Sequence, residues 1–195
     1  MSAVVIQTSF LGDVVLSTPL IAELATRGPV DVVVSGINNG LNCGANVLYS
    51  GTVAAALEGA QAGYVAFAVS RKVSTSEDFR AESKLSARII REILAKKPPG
   101  GIVYNINLPA GRPKGVLSTV TELVPYVDRY ERRVDPRGRV YYWLRGEPPR
   151  DFRTRGPLSD EAALSRGYAA VTPLKRDLTD AASLDGLARL YPSKP

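Results

Sequence analysis

Short apolar runs alternate with helical patterns along the first half of the chain. Apolar runs of this length, bounded by Gly, Pro or polar residues, predict strands that are buried in a sheet. In the segment that begins at residue 77, Leu85, Ile89 and Ile93 fall near one face, which predicts a helix covering that sheet. This alternation is typical of an α/β fold with a mostly parallel sheet flanked by helices. The predicted strands are residues 3–8, 30–34, 65–69 and 102–108, and the earlier predicted helices are residues 13–26 and 51–63.

The pattern changes in the second half. Two β-rich segments, residues 126–134 and 139–144, flank the turn sequence Asp135-Pro136-Arg137-Gly138 and predict a projecting β-hairpin. We call residues 126–145 the arm. A Pro- and Arg-rich linker at residues 145–156 follows. The remaining predicted elements are a short helix at residues 159–166, a strand at 168–172 and a terminal helix at 181–191 with Leu184, Leu187 and Leu190 as its apolar stripe.

A loop rich in Gly and Asn joins the strand at residues 30–34 to the helix at residues 51–63. In a βαβ unit this loop lies at the carboxyl end of a parallel strand, where such sheets place their ligands. Loop amides, Asn side chains and the segment Ser50-Gly51-Thr52 could hold a phosphate at the start of the helix. Ser50 could equally be only the N-cap of that helix, and the two roles are compatible.

Composition narrows the chemistry. The 195 residues form one domain by length, with 45% hydrophobic residues, and contain no histidine and one cysteine. Serine–histidine and cysteine–histidine catalysis and every histidine metal site are therefore excluded. A metal would need oxygen ligands, which suits Mg²⁺ or Mn²⁺. We interpret Cys43 as a small loop residue. The apolar runs are too short to span a membrane and no signal peptide pattern opens the chain, so we expect a cytoplasmic protein.

The formal net charge is +6. Much of the positive charge falls in residues 129–155, next to several aromatic residues, and a basic patch of this kind permits nucleic-acid binding. No nucleic-acid-binding motif accompanies these charges. We therefore interpret the segment as an exposed hairpin that serves solubility or assembly, and we do not expect a nucleic-acid partner.

Several motifs, in one order, relate the chain to a known family. They are Ser35-Gly36-Ile37-Asn38, Gly40, Asn42, Gly44, Tyr49-Ser50-Gly51-Thr52-Val53, Asn105-Ile106-Asn107-Leu108-Pro109, Asp135-Pro136-Arg137-Gly138-Arg139, Tyr141-Tyr142-Trp143, Gly167-Tyr168, Val171-Thr172-Pro173-Leu174 and Asp177-Leu178-Thr179. Over about residues 30–180 the chain resembles the SurE family, the survival-protein-E 5'/3'-nucleotidases and acid phosphatases. The resemblance implies a Rossmann-like fold and a hydrolase that acts on nucleoside monophosphates or other phosphomonoesters with a divalent metal. It also implies a homo-oligomer, a dimer or tetramer, built partly by the arm and the C-terminal helix.

The resemblance assigns candidate site residues. Asn38 matches the metal-binding Asn of the family, and its side-chain carbonyl is a hard oxygen ligand. The alternative is that Asn38 only ties the loop together through backbone hydrogen bonds. Asn42, Ser50, Gly51 and Thr52 match the loop that lies beside the substrate phosphate.

The first 29 residues depart from this resemblance. SurE proteins open with a strand ending in Asn-Asp-Asp-Gly, whose two Asp residues bind the metal. Here Thr8, Ser9 or Phe10 stand at that point, and Asp13 is the nearest carboxylate. Residues 1–29 instead resemble the start of heptosyltransferase-type glycosyltransferases. We therefore divide the chain into a foreign-looking β-α leader, residues 1–29, that joins the same sheet, and a SurE-like domain, residues 30–195.

Two further motifs of the family are also missing: the segment carrying a metal-binding Ser, and a Gly-Thr-Pro-Ala-Asp-Cys sequence. Because two carboxylates supply most of the charge that attracts a divalent cation, we expect weak metal binding and impaired turnover. No catalytic residue is assigned. The alternative function is a non-catalytic domain for nucleotide or anion binding, or for assembly. A glycosyltransferase fragment is disfavoured by length and by the lack of a second Rossmann-like domain.

Overall fold

The computed structural model describes residues 3–6, 32–76, 78–122, 127–147 and 158–191. None of the helices in these ranges is both long and apolar enough to cross a membrane. The strands are β1 Ala3–Ile6, β2 Val32–Asn39, β3 Val65–Arg71, β4 Val103–Leu108, β5 Val116–Ser118, β6 Val127–Val134, β7 Val140–Glu147 and β8 Ala169–Leu174. The helices are α1 Gly51–Gln61, α2 Arg80–Leu94, α3 Asp160–Ser165 and α4 Ala181–Leu190, and a 3-10 helix spans Gly44–Tyr49.

Six strands form one sheet in the order β1-β2-β3-β4-β8-β5. The first four are parallel neighbours, as the alternation of strands and helices predicts. β8 runs antiparallel to β4, and the short β5 pairs with β8 in parallel. The prediction of an α/β fold with a mostly parallel sheet is confirmed. The carboxyl ends of β1 to β4 therefore lie at one edge of the sheet, which we call the carboxyl edge.

The two faces of the sheet bury different side chains. On one face the small residues of α1 pack with Val33, Ala66 and Val103. This approach is close: a Cβ on Gly59 would lie 2.7 Å from the Val33 side chain, so the helix needs glycine there. On the other face α2 contributes Ile89 to a cluster of larger apolar side chains, which also holds Phe67, Ile106, Leu108 and Val171. Each face thus carries a core of its own.

The arm and the terminal helix lie outside these cores. β6 and β7 pair antiparallel in a separate two-stranded sheet, which confirms the projecting hairpin. Its turn is fixed by Asp135, whose Oδ1 accepts the amides of Arg137 at 2.8 Å and Arg139 at 2.9 Å. All ten residues of α4 are exposed, including the predicted apolar stripe. Both elements therefore present apolar side chains to solvent.

The structure corrects parts of the sequence analysis. β2 does not end at residue 34 but continues through the predicted loop to Asn39, because Ser35 pairs with Ala68 and Asn38 pairs with Ser70. The register shifts between these pairs, around Gly36, where φ is +114°. A Cβ at Gly36 would collide with the Val69 carbonyl oxygen.

Three other strands extend beyond their predicted ends: β3 continues to Arg71, β8 continues to Leu174, and β7 continues to Glu147, into the predicted linker. The 3-10 helix and β5 were not predicted, since each is shorter than the window in which periodicity can be recognised. Of the leader, the structure describes β1, which pairs in parallel with β2 as expected. The predicted helix at residues 13–26 and most of the linker, residues 148–156, lie outside the described residues.

Candidate functional site

Asn38 lies near the end of β2 at the carboxyl edge. Its backbone pairs in register with Ser70 of β3, and its side chain is half-buried. The side-chain amide Nδ2 donates to the carbonyl oxygen of Gly40 at 2.7 Å. This is the local tie that the sequence analysis held as the alternative role. It uses the nitrogen and fixes the side-chain orientation, so Oδ1 could still serve as an oxygen ligand.

A buried network of amides holds Asn42 beside the same edge. Its Nδ2 donates to Ser70 Oγ at 2.7 Å, and its backbone amide donates to Asn107 Oδ1 at 2.8 Å. Its carbonyl oxygen accepts Asn105 Nδ2 at 2.8 Å and Asn107 Nδ2 at 3.0 Å. Because every partner belongs to β3 or β4, the sheet itself sets the path of the loop. Ser70, which holds Asn42, is also the partner of Asn38 in the register of β2 and β3, so Asn38 lies next to this network.

The start of α1 meets the predicted geometry. Ser50 is buried, and its Oγ accepts the Val53 amide at 3.1 Å. The N-cap role is therefore confirmed. The amides of Gly51 and Thr52, by contrast, make no hydrogen bond with any described residue, as expected for the first donors of a helix. Amides in this position attract anions such as phosphate. α1 begins at the carboxyl edge because it follows a strand that ends there.

Arg71 is a residue that the sequence analysis missed, since the predicted strand ended at residue 69. It is the last residue of β3 and only 2% exposed. Its guanidinium donates to Asn39 Oδ1 at 3.1 Å, to the carbonyl of Asp78 at 2.9 Å and to the carbonyl of Ser76. It also lies 3.4 Å from Glu82 Oε1, and it stacks 3.6 Å from the centre of the Phe79 ring. These contacts attach the segment after β3 to the end of β2.

Three buried carboxylates lie beneath the loop, namely those of Glu122, Asp160 and Glu161. Asp160, the first residue of α3, accepts the amides of Gly44 at 2.9 Å, Glu122 at 3.0 Å and Glu161 at 2.9 Å. Burial raises the pKa of Asp160, although these three amides oppose the shift. Burial, followed by the charges of Asp160 and Glu122, raises the pKa of Glu161 to about 7. The group anchors the loop to α3, at the position where Gly44 adopts a φ of +55°.

Cys43 is buried beside these carboxylates. Burial, together with the charges of Asp160 and Glu161, raises the pKa of its thiol. The side chain is therefore a neutral thiol at physiological pH and is not activated as a nucleophile. This agrees with the interpretation of Cys43 as a small loop residue.

The candidate ligands at this edge are amide and hydroxyl oxygens, which a hard cation accepts, but these groups carry no negative charge. Within the described ranges, no group of three or more His, Cys, Asp or Glu residues is arranged to hold a metal ion. Asp160 is engaged with backbone amides below the loop. Thr8, Ser9, Phe10 and Asp13 lie outside the described residues. The assignment of Asn38 as a metal ligand therefore stays a prediction.

Comparison with known proteins relates this architecture to one family. The family model for "Survival protein SurE" matches residues 15–127. The 5'-nucleotidase SurE of Syntrophobacter fumaroxidans is 41% identical over 189 residues, which cover 92% of this chain and 74% of the relative. The chain belongs to the SurE family. The prediction of this family from the motifs is confirmed.

Two other SurE proteins also match most of this chain. The 5'-nucleotidase SurE of Pelotomaculum thermopropionicum is 42% identical, over 86% of this chain and 64% of the relative. The crystal structure of the SurE protein from Aquifex aeolicus superimposes with a TM-score of 0.72 at 31% identity, covering 91% of this chain and 71% of that one. The chain therefore spans about two thirds to three quarters of the length of these proteins.

The extent of the match bears on the leader. The SurE match begins at residue 15, inside the predicted leader, whereas the motifs were traced only from about residue 30. Part of residues 1–29 is therefore also SurE-like. The division into a leader and a SurE-like domain stays a prediction, as does the likeness of the leader to glycosyltransferases.

A signal for the missed network was present in the sequence. Asn105 and Asn107 are two residues apart on β4, so both side chains point to the same side of the sheet. Two amides on one side of a buried strand need polar partners, because unpaired buried amides are costly. The buried position of Arg71 had no comparable signal, since an arginine at the end of an apolar run is usually exposed.

Proposed function

We propose that this chain is a divalent-metal-dependent phosphomonoesterase that hydrolyses nucleoside monophosphates at the carboxyl edge of its sheet. Membership of the SurE family supports the reaction class. One observation carries the proposal for this chain: the free amides of Gly51 and Thr52 open α1 at the edge where β2 ends, one residue after Asn38. An anion-binding helix start beside an oxygen ligand is the arrangement that binding a metal-bound phosphate requires.

Each residue has a role in this proposal. The amides of Gly51 and Thr52, with the hydroxyls of Ser50 and Thr52, hold phosphate oxygens. Asn38 Oδ1 would hold Mg²⁺ or Mn²⁺, which when bound supplies a Lewis acid next to the phosphate. Asn42 positions the loop between these groups through its bonds to β3 and β4. In the reaction, water attacks phosphorus, the ester P–O bond breaks, and the leaving oxygen takes up a proton to give the nucleoside and inorganic phosphate.

We propose also that this chain hydrolyses its substrate slowly. Asn38 is a neutral ligand, and a neutral oxygen attracts a divalent cation less strongly than a carboxylate does. The same observation supports the second candidate function, a domain that binds nucleotides or anions without turnover. The two differ in one observable, namely whether bound AMP is hydrolysed when metal is added.

The experiment measures phosphate released from AMP and from p-nitrophenyl phosphate, with Mn²⁺ and then with a chelator. The 5'-nucleotidase SurE of Syntrophobacter fumaroxidans is assayed alongside. We expect metal-dependent release at a rate more than about tenfold below that of the relative, which is about 1.4 kcal/mol in barrier height. A rate within tenfold would refute the impairment. AMP binding without any release would favour the second function.

We propose also that the chain forms a homo-oligomer, a dimer or tetramer. The arm exposes Tyr130, Tyr142 and Trp143, and α4 exposes Leu184 and Leu187, each by more than half of its side chain. A lone hairpin is marginal in water and needs a packing partner. Aromatic residues are also enriched in interfaces. A second copy of the chain that covers these surfaces would give the hairpin a packing partner and would bury the exposed aromatic and leucine side chains.

A further inference from the structure

A groove of about 870 Å³ lies between α2 and the segment that joins β4 to β5. Cations line both walls: Lys84 and Arg88 project from the helix, and Arg112 and Lys114 from the segment. All four side chains reach solvent. We call this surface the basic groove.

The negative charge in the groove is small. Among its described lining residues Glu82 is the one carboxylate, and it faces the buried guanidinium of Arg71 at 3.4 Å. Arg88 lies 3.7 Å from Glu92, whereas Lys84, Arg112 and Lys114 form no ion pair with a described residue. The groove therefore presents a net positive surface, which favours an anionic ligand.

The lining between the cations is apolar. Ala81 and Leu85 are one turn apart on α2, and Pro113 lies on the opposite wall. No aromatic side chain is among the described lining residues, but the aliphatic surface can pack against a base or sugar, which a purely charged ligand does not offer. The volume is also far larger than one phosphate needs and lies in the range of sites for ligands of nucleotide size.

The groove is connected to the candidate site. The segment after β4 and the first turns of α2 both lie at the carboxyl edge, because they follow β4 and β3. A chain of contacts joins the two sites: Glu82 lines the groove and meets Arg71, whose Nε donates to Asn39 Oδ1 at 3.1 Å. Asn39 follows Asn38 directly in β2. These contacts thus link the basic groove to the end of β2, where Asn38 lies.

We propose that the basic groove binds the body of a short single-stranded oligonucleotide whose terminal phosphate occupies the site at Asn38, Gly51 and Thr52. The placement of the terminal phosphate rests on the proposed function. The cations on the two walls pair with backbone phosphates, and the apolar lining packs against bases. This differs from the sequence analysis, which weighed nucleic-acid binding only for the arm and found no motif there.

The test measures binding directly. Fluorescence anisotropy follows a trinucleotide with a 5'-phosphate and a 3'-label, in a chelator so that no turnover is needed. One variant combines Lys84→Gln, Arg112→Gln and Lys114→Gln. The matched control, Lys96→Gln with Lys97→Gln and Lys175→Gln, removes three exposed charges that lie outside the groove and outside the arm and α4. Circular dichroism verifies that both variants are folded.

We expect the groove variant to raise Kd by about tenfold or more, and the control by less than about twofold. The slope of log Kd against log salt should also fall in the groove variant, by roughly 0.7 for each phosphate that the variant no longer neutralises. Unchanged binding in the groove variant, or an equal loss in the control, would overturn the proposal.

Two competing ligands test whether the groove recognises an oligonucleotide or any polyanion, and whether the terminal phosphate contributes to binding. Inorganic tripolyphosphate should displace the trinucleotide poorly, and displacement at equal concentration would show that the groove recognises charge alone, which overturns the oligonucleotide. The trinucleotide without its 5'-phosphate should bind several-fold more weakly, and equal binding would overturn the link to the phosphate site. A failure of AMP hydrolysis would refute the proposed function and leave these binding measurements interpretable.

Discussion

Replacing Arg71 with methionine tests how the segment after β3 is held at the carboxyl edge. Methionine keeps much of the length of the side chain and removes the charge and every donor. The change deletes hydrogen bonds to Asn39 Oδ1 and to the carbonyls of Ser76 and Asp78, and the ion pair with Glu82. Because Arg71 is only 2% exposed, protein groups rather than water satisfy its guanidinium in the folded state.

The magnitude follows from these contacts. A hydrogen bond to a charged group contributes about 1.5–3 kcal/mol, and breaking a buried ion pair costs roughly 3–5 kcal/mol. Glu82 is 27% exposed, and Ser76 and Asp78 are exposed, so water can reach the acceptors that Arg71 leaves behind. We therefore expect a loss near the lower limit, about 3 kcal/mol. For a chain of this size that corresponds to about 6–12 °C in Tm.

Urea unfolding measures the loss as a shift in the midpoint at constant slope. Arg71→Lys keeps the charge but not the planar fork of donors, and it should fall between the wild type and Arg71→Met. The matched control is Arg80→Met. Arg80 also pairs with Asp78, at 2.9 Å, but its side chain is 86% exposed, so the midpoint should hardly move. A loss below about 1 kcal/mol in Arg71→Met, or equal shifts in the two methionine variants, would show that the buried guanidinium does not hold this segment.

Three further predictions concern other parts of the molecule. The pKa of Glu161 is raised from 4.5 to about 7, so between these pH values the folded state binds more protons than the unfolded state, and the free energy of unfolding falls as pH rises. Glu161→Gln should flatten this pH dependence in urea unfolding, and an unchanged slope would contradict the prediction. Gly36→Ala should abolish cooperative folding, because φ at Gly36 is +114° and a Cβ there would collide with the backbone. Gly63→Ala, at φ +93° in open space, should cost only about 1 kcal/mol of stability, and equal melting shifts in the two variants would count against this prediction. Light scattering should give a mass above 20.9 kDa that Leu187→Asp reduces, and a wild-type monomer would refute the oligomer.

Much of the fold could be predicted from the sequence because its periodicity is strong. The small residues of α1, with Ser50 before them, predicted both the helix and its cap, and the turn at Asp135 predicted the arm. The end of β2 could not be predicted. Residues 35–39 read as a loop by composition, yet pairing with β3 extends the strand around Gly36. Tertiary pairing overrode local propensity there.

The candidate site was predictable only in part. Asn38 and Ser50 stood out through their motif and position, because a loop after a parallel strand is where a ligand binds. Arg71 and Asp160 act through partners distant in sequence: Asp160 meets Gly44, 116 residues away. Such contacts depend on the completed fold, and a single sequence without periodic signal at these positions does not specify them.

Asn38→Ala tests most directly whether the carboxyl edge is the catalytic site, through its effect on Mn²⁺-dependent release of phosphate from AMP. The matched control is Gln61→Ala, which removes an exposed side-chain amide at the far end of α1. We expect measurable metal-dependent release by the wild type and the control. In Asn38→Ala we expect kcat/KM to be at least about tenfold lower, which is about 1.4 kcal/mol of transition-state stabilisation. Release that is absent from the wild type, or equal in the two variants, would contradict it.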